Sequence, residues 1–225
     1  MKIDEETLIK AQFLYKIEFD KAIRANGGRV IWSGQHGMLW ALNQAKVIDE
    51  FFWKGVCAGL AIEWLKEQAD PINYSFTQQQ DDARREVFSR PRAAYQRAEH
   101  FAQQVFDSHQ MQRQEMKGLD GVLASAGPTR DFQYPFQDIA ASFSQGSFFY
   151  VSTGTHAMGV VRVGGRYFGS ARYDFYDPNV GVAKRVKVDI FPQYLKAAVD
   201  KSFEVLGTTN GRAEKIVSVQ PFNKL

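Results

Sequence analysis

The stretch SFFYVSTGTHAMGVVRVGGRYFGSARYDFYDPNVGVAKRVKV, residues 147–188, decides the fold because its apolar residues follow an alternating pattern. Such alternation is typical of half-buried strands, and the Gly and Asp-Pro positions that interrupt it are typical of turns. We predict a hairpin turn at Gly164-Gly165, either of two residues or longer. The predicted strands are 148–151, 156–163, 166–176 and 182–188.

Helical periodicity dominates most of the remaining chain. Residues 119–146 are the exception, since their Gly, Pro and Ser content predicts a loop. Helices that precede a run of strands indicate an α+β fold with an antiparallel sheet, not a doubly wound α/β sheet. The predicted helices are 4–24, 37–48, 55–69, 190–205 and one or two within 77–118, and further short strands are predicted at 29–32 and 215–219.

We predict a single domain over residues 1–225 with a polar helical insertion at about 77–118. Hydrophobic residues make up 44% of the chain and charged residues 24%, which is an ordinary composition for a protein with a packed core. The insertion is either a substrate-facing subdomain or lid, or a solvated helical decoration. The sequence leaves both interpretations open.

Charge and cysteine content bear on the class of protein. A net charge of +3 does not require nucleic acid as a partner, and a single cysteine cannot form an internal disulfide. The first residues, MKIDEE, contain no apolar signal segment, and no apolar run is long enough to predict a membrane span. We therefore expect a chain made in the cytoplasm, either retained there or delivered into a target cell without a cleavable signal peptide.

Cys57 is the first candidate for chemistry. It lies in WKGVCAGL, residues 53–60, in the first turn of a predicted helix. The helix dipole and a neighbouring imidazolium would both stabilise a thiolate there, and the small residues around it would leave backbone amides free to bind an oxyanion. A structural interpretation is also open, because Cys57 shares a helical stripe with Leu60 and Trp64 and could be packed in the core.

The predicted hairpin carries a candidate base and a candidate orienting group. His156 stands at the start of one strand and Asp177 at the end of the next. Taken alone, either could be structural: a satisfied or surface histidine, and an Asp that forms a turn. With either a two-residue or a longer turn, Asp177 lies on the same face of the sheet as His156, and Asp174 does not. With the longer turn, residue 156 pairs directly with residue 177. A carboxylate there could fix the imidazole tautomer, so that the other ring nitrogen faces the thiol.

The pieces GVC at 55–57, THAMG at 155–159 and YDPNVG at 176–181 resemble the YopT/AvrPphB-type cysteine proteases, bacterial effector enzymes with a papain-like fold. The order Cys, His, Asp along the chain also matches. The resemblance implies a papain-like fold with Cys57 as nucleophile, His156 as base and Asp177 as the group that orients the histidine. The matching pieces are GVC at 55–57 followed by Leu60 and Trp64-Leu65, THAMG at 155–159 and YDPNVG at 176–181.

The oxyanion-binding side chain departs from the family pattern. Papain-like enzymes usually carry a Gln or Asn five or six residues before the nucleophile, where this chain has Phe52 and Phe51. The backbone amide of Cys57 would then act together with a donor from elsewhere in the chain. The candidate donors are Gln35, Asn43 and Gln44.

The resemblance implies hydrolysis of a peptide bond in a protein substrate, one of a host or target cell, through an acyl-thioester on Cys57. Two alternatives stay open. The same triad could deamidate or transglutaminate a glutamine side chain. Alternatively, the chain could be a binding or toxin-accessory domain whose catalytic site has decayed. We expect no metal and no cofactor, because the chain has no HExxH motif, no clustered Cys/His spacing and no phosphate-binding glycine loop.

Overall fold

The computed structural model describes residues 17, 21, 24, 29–32, 57–89, 95–111, 118–119, 121–133, 142–143, 145–154, 156–164, 171–206 and 215–225. Residues 17, 21 and 24 are helical, within the helix predicted at 4–24. The helices with described bounds are α1 (Cys57–Ala69), α2 (Phe76–Ser89), α3 (Gln96–Met111) and α4 (Phe191–Leu206). None of the described helices is long and apolar enough to cross a membrane.

The described strands form one antiparallel sheet, in the order β1-β8-β7-β6-β5-β9-β3-β2. The strand β4 pairs with the first half of β9, on the same edge that β3 occupies further along. Helices combined with an antiparallel sheet confirm the predicted α+β class. The strands are β1 (Arg29–Trp32), β2 (Gly118–Leu119), β3 (Leu123–Ser125), β4 (Arg130–Gln133), β5 (Phe148–Ser152), β6 (Ala157–Val163), β7 (Arg172–Asp177), β8 (Gly181–Lys187) and β9 (Ile216–Lys224).

Helices cover both faces of the sheet. Successive side chains of a strand point to opposite faces, so the strands supply two separate cores. Phe148 and Tyr150 of β5 pack in the core that contains α1, α2 and α3. Phe149 and Val151 of the same strand pack in the core that contains α4. The continuous apolar run in β5 is explained by this burial on both sides.

Gly159, in the middle of β6, is where α1 approaches the sheet most tightly. It pairs with Tyr150 of β5 on one side and with Tyr176 of β7 on the other. Trp64 of α1 occupies the space above it: a Cβ atom at position 159 would lie 2.6 Å from Trp64 Cε3. The Trp64 ring also stacks on Tyr176, with ring centroids 5.4 Å apart. Because residue 159 has no side chain, Trp64 can pack directly on β6, and this contact fixes the position of α1 on the sheet.

The polar segment 77–118 contributes its apolar side to the core. Phe76, Phe101 and other apolar residues of α2 and α3 are buried with α1. The buried Glu63 carboxylate of α1 accepts a hydrogen bond from Gln104 Nε2 of α3 at 2.5 Å and another from Lys66 Nζ at 2.7 Å. These contacts make α2 and α3 a packed layer on α1, while the predicted domain boundaries stay a prediction.

The β6–β7 hairpin differs in register from both predicted turns. Val163 pairs with Arg172, so Gly164-Gly165 is not a two-residue turn; the connection is longer, and 165–170 lie outside the described residues. Gly159 pairs with Tyr176, so one step further Asp177 falls opposite position 158 and not opposite His156. Even positions of β6 still pair with odd positions of β7. The predicted sharing of a face by His156 and Asp177 is therefore confirmed.

The loop and helix predictions have different outcomes along the chain. The stretch predicted as a loop at 119–146 contains the short strands β3 and β4, because β9 continues to Lys224 and offers both of them an edge. The helix predicted at 37–48 lies outside the described residues. The helices predicted at 55–69 and 190–205 are observed as α1 and α4, with ends within two residues where described.

We expect Gly159→Ala to destabilise the protein, because the new methyl group would clash with Trp64 Cε3. Overpacking of this kind costs roughly 1–3 kcal/mol, which lowers Tm by about 5 °C in a chain of this size. Thermal melts of the purified variants measure the effect. Gly127→Ala is the matched control, since its added Cβ would meet only Pro221 Cγ at 3.8 Å. Equal melting of both variants would contradict the close packing of α1 on β6.

Candidate active site

Cys57 is the first residue of α1 and is partly exposed, whereas the residues that follow it from Ala58 to Lys66 are buried. A first-turn position leaves the backbone N–H groups of the helix start without partners inside the helix. Those groups and the helix dipole place positive potential on the sulfur. The alternative prediction was that Cys57 is packed in the core. Its side chain does pack against the core that contains α1, but it remains partly exposed.

His156 is held by the tight turn that joins β5 to β6. Ser152 and Ala157 form the last pair of the two strands, and the Thr153 N–H donates to the His156 carbonyl oxygen at 2.9 Å. Gly154 allows this turn because its φ is +81°, a conformation that favours glycine. His156 therefore precedes β6 directly and is only 3% exposed.

The imidazole of His156 donates a hydrogen bond from Nε2–H to Asp177 Oδ1 at 2.8 Å. A carboxylate can only accept, so this contact assigns the proton to Nε2 and leaves Nδ1 for the sulfur. Cys57 lies close enough to the ring to raise the pKa of His156. The structure thus brings together the three site residues predicted from the sequence, from the start of α1, the β5–β6 turn and the end of β7.

Asp177 is fully buried and is fixed by its own turn. The backbone N–H of Asn179 donates to Asp177 Oδ1 at 2.8 Å, and the Val180 N–H donates to the Asp177 carbonyl oxygen at 2.9 Å. Gly181, which pairs with Asp177 across β7 and β8, has a φ of +137° that favours glycine. The sequence Asp-Pro-Asn-Val-Gly is therefore a turn that presents the carboxylate to His156.

The charge state of His156 follows from its neighbours. Burial by itself lowers the pKa of His156, but the Asp177 carboxylate, its hydrogen bond and the contact with Cys57 outweigh burial and raise the pKa from 6.5 to about 10. The imidazole therefore remains protonated around neutral pH. A thiolate at Cys57 would face a permanent imidazolium, the arrangement that nucleophilic cysteines use.

Two buried tyrosines lie on the same sheet face as α1 and are influenced by the Cys57 charge. Burial, and then the charge of Cys57, raises the pKa of Tyr150 well above its ordinary value. Burial also raises the pKa of Tyr176, with Asp177 and Cys57 contributing in the same direction. Both phenols are therefore neutral and add no negative charge beside Cys57. Sequence reasoning missed these residues, because their strand pattern predicts only core packing.

Asp174 lies away from His156, as predicted. Its Oδ1 accepts a hydrogen bond from the Arg185 N–H at 2.7 Å, where β8 is irregular and Arg185 has a φ of +61°. The buried Asp174 carboxylate therefore supports a strand irregularity. The candidate oxyanion donors Gln35, Asn43 and Gln44, together with Phe51 and Phe52, lie outside the described residues.

No family model matches the chain, and no curated protein matches it either. Among the described residues, no group of three or more His, Cys, Asp or Glu side chains is arranged to hold a metal ion.

We expect the contribution of His156 to stability to depend on pH. Its folded pKa of about 10 lies above the unfolded value near 6.5, so the stabilisation is fully present below pH 6.5 and is lost as pH rises through about 10. The difference in unfolding free energy between wild type and His156→Gln should shrink over that interval, measured by urea unfolding. His100→Gln, at an exposed position of α3, is the control and should show no such trend. A pH-independent difference for His156→Gln would contradict the pKa assignment.

Proposed function

We propose that the chain is a cysteine protease that hydrolyses a peptide bond of a protein substrate with Cys57, His156 and Asp177. The observation that carries the proposal is the convergence of three elements on one imidazole. The Nε2–H of His156 donates to Asp177 Oδ1 at 2.8 Å, and Cys57, the first residue of α1, lies close enough to the ring to raise the pKa of His156. A nucleophile, a base and an orienting group in this arrangement satisfy the geometric requirements of covalent catalysis.

In the proposed reaction the Cys57 thiolate attacks the scissile carbonyl carbon and a C–S bond forms. The carbonyl oxygen becomes an oxyanion, to which the N–H groups at the start of α1 can donate. The His156 imidazolium gives its proton to the leaving amine, the C–N bond breaks, and an acyl-thioester remains. Neutral His156 then takes a proton from water, which attacks the thioester. The acid product leaves, and the thiolate–imidazolium pair is restored.

The fold and the motif order support a papain-like enzyme. The nucleophile opens a helix that packs on an antiparallel sheet, and the base and its orienting group come from that sheet. The resemblance of GVC, THAMG and YDPNVG to the YopT/AvrPphB-type proteases extends the proposal to a bacterial effector that acts on proteins of a target cell.

Mass spectrometry of candidate substrate proteins tests the reaction class. Cleaved chains carrying new termini support the protease, whereas a gain of about one mass unit on glutamine would identify a deamidase that uses the same acyl-enzyme chemistry. A thiol that fails to react with an epoxide inhibitor of papain-type enzymes would indicate a decayed site with a binding role. Only the first outcome agrees with the proposal.

We expect the variants to rank in a fixed order. Cys57→Ala should abolish hydrolysis with little change in Tm, because the lost side chain is small and partly exposed. His156→Ala should lose on the order of 10³-fold in kcat, because the base and the proton donor disappear together. Asp177→Ala should lose less, since the nucleophile and base remain. Steady-state kinetics and thermal melts of each purified variant measure the ranking.

Asp174→Ala is the matched control for Asp177→Ala. It removes a buried carboxylate from the same strand and should cost about 1–3 kcal/mol of stability, through the lost acceptor of the Arg185 N–H, while kcat is retained. Loss of activity in Asp174→Ala with full activity in Asp177→Ala would overturn the assigned roles. If Cys57→Ala, His156→Ala, Asp177→Ala and Asp174→Ala all melt at clearly lower temperature than wild type, these residues have a structural role.

A further inference from the structure

A second polar side chain lies beside the ring nitrogen that Asp177 holds. The Nδ2 atom of Asn179 is 3.5 Å from His156 Nε2, and the backbone N–H of the same residue donates to Asp177 Oδ1 at 2.8 Å. The turn after β7 thus presents a carboxylate and an amide to one imidazole nitrogen. The proposed reaction has given the amide no role.

The protonation of His156 decides whether the NH₂ group or the carbonyl oxygen of the Asn179 amide is favoured beside Nε2. Nε2 carries a proton, because it donates to the Asp177 carboxylate, so an NH₂ group at the same place would put two donors face to face. A half-turn about the last side-chain bond of Asn179 exchanges NH₂ for the carbonyl oxygen. Nε2–H can then be shared between Asp177 Oδ1 and Asn179 Oδ1 in a three-centre hydrogen bond.

We propose that Asn179 is a second positioning residue of the site, a neutral acceptor that orients the His156 imidazolium beside Asp177. The activity part of this inference rests on the proposed function. Asp177 supplies charge and direction, whereas Asn179 supplies direction alone. When Asp177 is removed, Asn179 is the acceptor that remains on Nε2 and keeps Nδ1 facing the sulfur.

A second Asp-Pro turn in the same chain, DPIN at 70–73, has its Asn one position later and places the amide differently. After α1, the Asn73 N–H donates to Asp70 Oδ1 at 3.3 Å, and Asn73 Nδ2 donates to Asp70 Oδ2 at 2.7 Å. There the amide binds the aspartate of its own turn and is exposed. At Asn179 the backbone N–H makes the equivalent contact, and the side chain is directed at the imidazole instead.

The backbone contact makes Asn179 a clean position for mutation. Asn179→Ala removes the amide but keeps the N–H that donates to Asp177 Oδ1. The charged groups that face His156 also remain, namely Asp177 from β7 and Cys57 from α1. A change in the behaviour of the imidazole can therefore be attributed to the Asn179 side chain.

A double-mutant cycle tests the proposal. In the wild-type background we expect Asn179→Ala to lower kcat about threefold to tenfold with KM unchanged. In the Asp177→Ala background the same substitution should cost about tenfold more, because both described acceptors of Nε2–H are then lost. Asn179→Asp, which keeps an acceptor oxygen, should retain most of the activity. Asn73→Ala is the matched control and should leave kcat unchanged in both backgrounds.

A readout that needs no substrate accompanies the kinetics. NMR of the labelled histidine ring, assigned with His156→Gln, should show His156 titrating at lower pH in Asn179→Ala than in wild type. An equal kinetic factor in both backgrounds, or an unchanged ring titration, would overturn the role of Asn179. If the wild-type protein hydrolyses no peptide bond, the proposed function fails, and the ring titration still decides the role of Asn179.

Discussion

The hydrogen bond from His156 Nε2–H to the buried Asp177 carboxylate is the interaction on which the site depends. A carboxylate that is 0% exposed is costly to bury unless its oxygens are hydrogen bonded. The imidazolium and the Asn179 N–H both donate to its Oδ1 and offset part of that cost. The Asp177 carboxylate in turn raises the pKa of His156, so one protonated ring both stabilises the buried Asp177 and supplies the positive charge beside Cys57.

The position of the nucleophile depends on a contact far from the sulfur. Trp64 lies over Gly159 and stacks on Tyr176, which fixes α1 along β6 and β7. Because α1 is a rigid helix, this contact also fixes where its first residue, Cys57, meets the end of the sheet. Packing in the core and geometry at the site are therefore linked through a single helix.

The apolar runs of residues 147–188, interrupted at Gly and Asp-Pro positions, were sufficient to predict the central strands, although these strands are buried on both faces and do not alternate in burial. The runs could not predict the register, since the length of the β6–β7 connection depends on the pairing of Val163 with Arg172. The strands β3 and β4 were missed for a similar reason. They are too short for a pattern of their own and exist because β9 offers them an edge.

The candidate site could be predicted in part. Parity placed Asp177 and not Asp174 on the face of His156, and that result survives an error in register because a slip of two residues leaves the face unchanged. The side chain of Asn179 could not be assigned, because an Asp-Pro-Asn sequence indicates a turn and does not tell whether the amide binds its own Asp or an imidazole.

The pH dependence of Cys57 alkylation by iodoacetamide, in wild type and in His156→Ala, tests the central claim most directly. Cys57 is the single cysteine, so the reaction reports on one sulfur. If His156 holds a thiolate as an ion pair, the wild-type protein should react many times faster than His156→Ala at about pH 6, and the two rates should converge at high pH. Rate profiles that coincide across the whole pH range would contradict the pairing of Cys57 with His156 and the mechanism that depends on it.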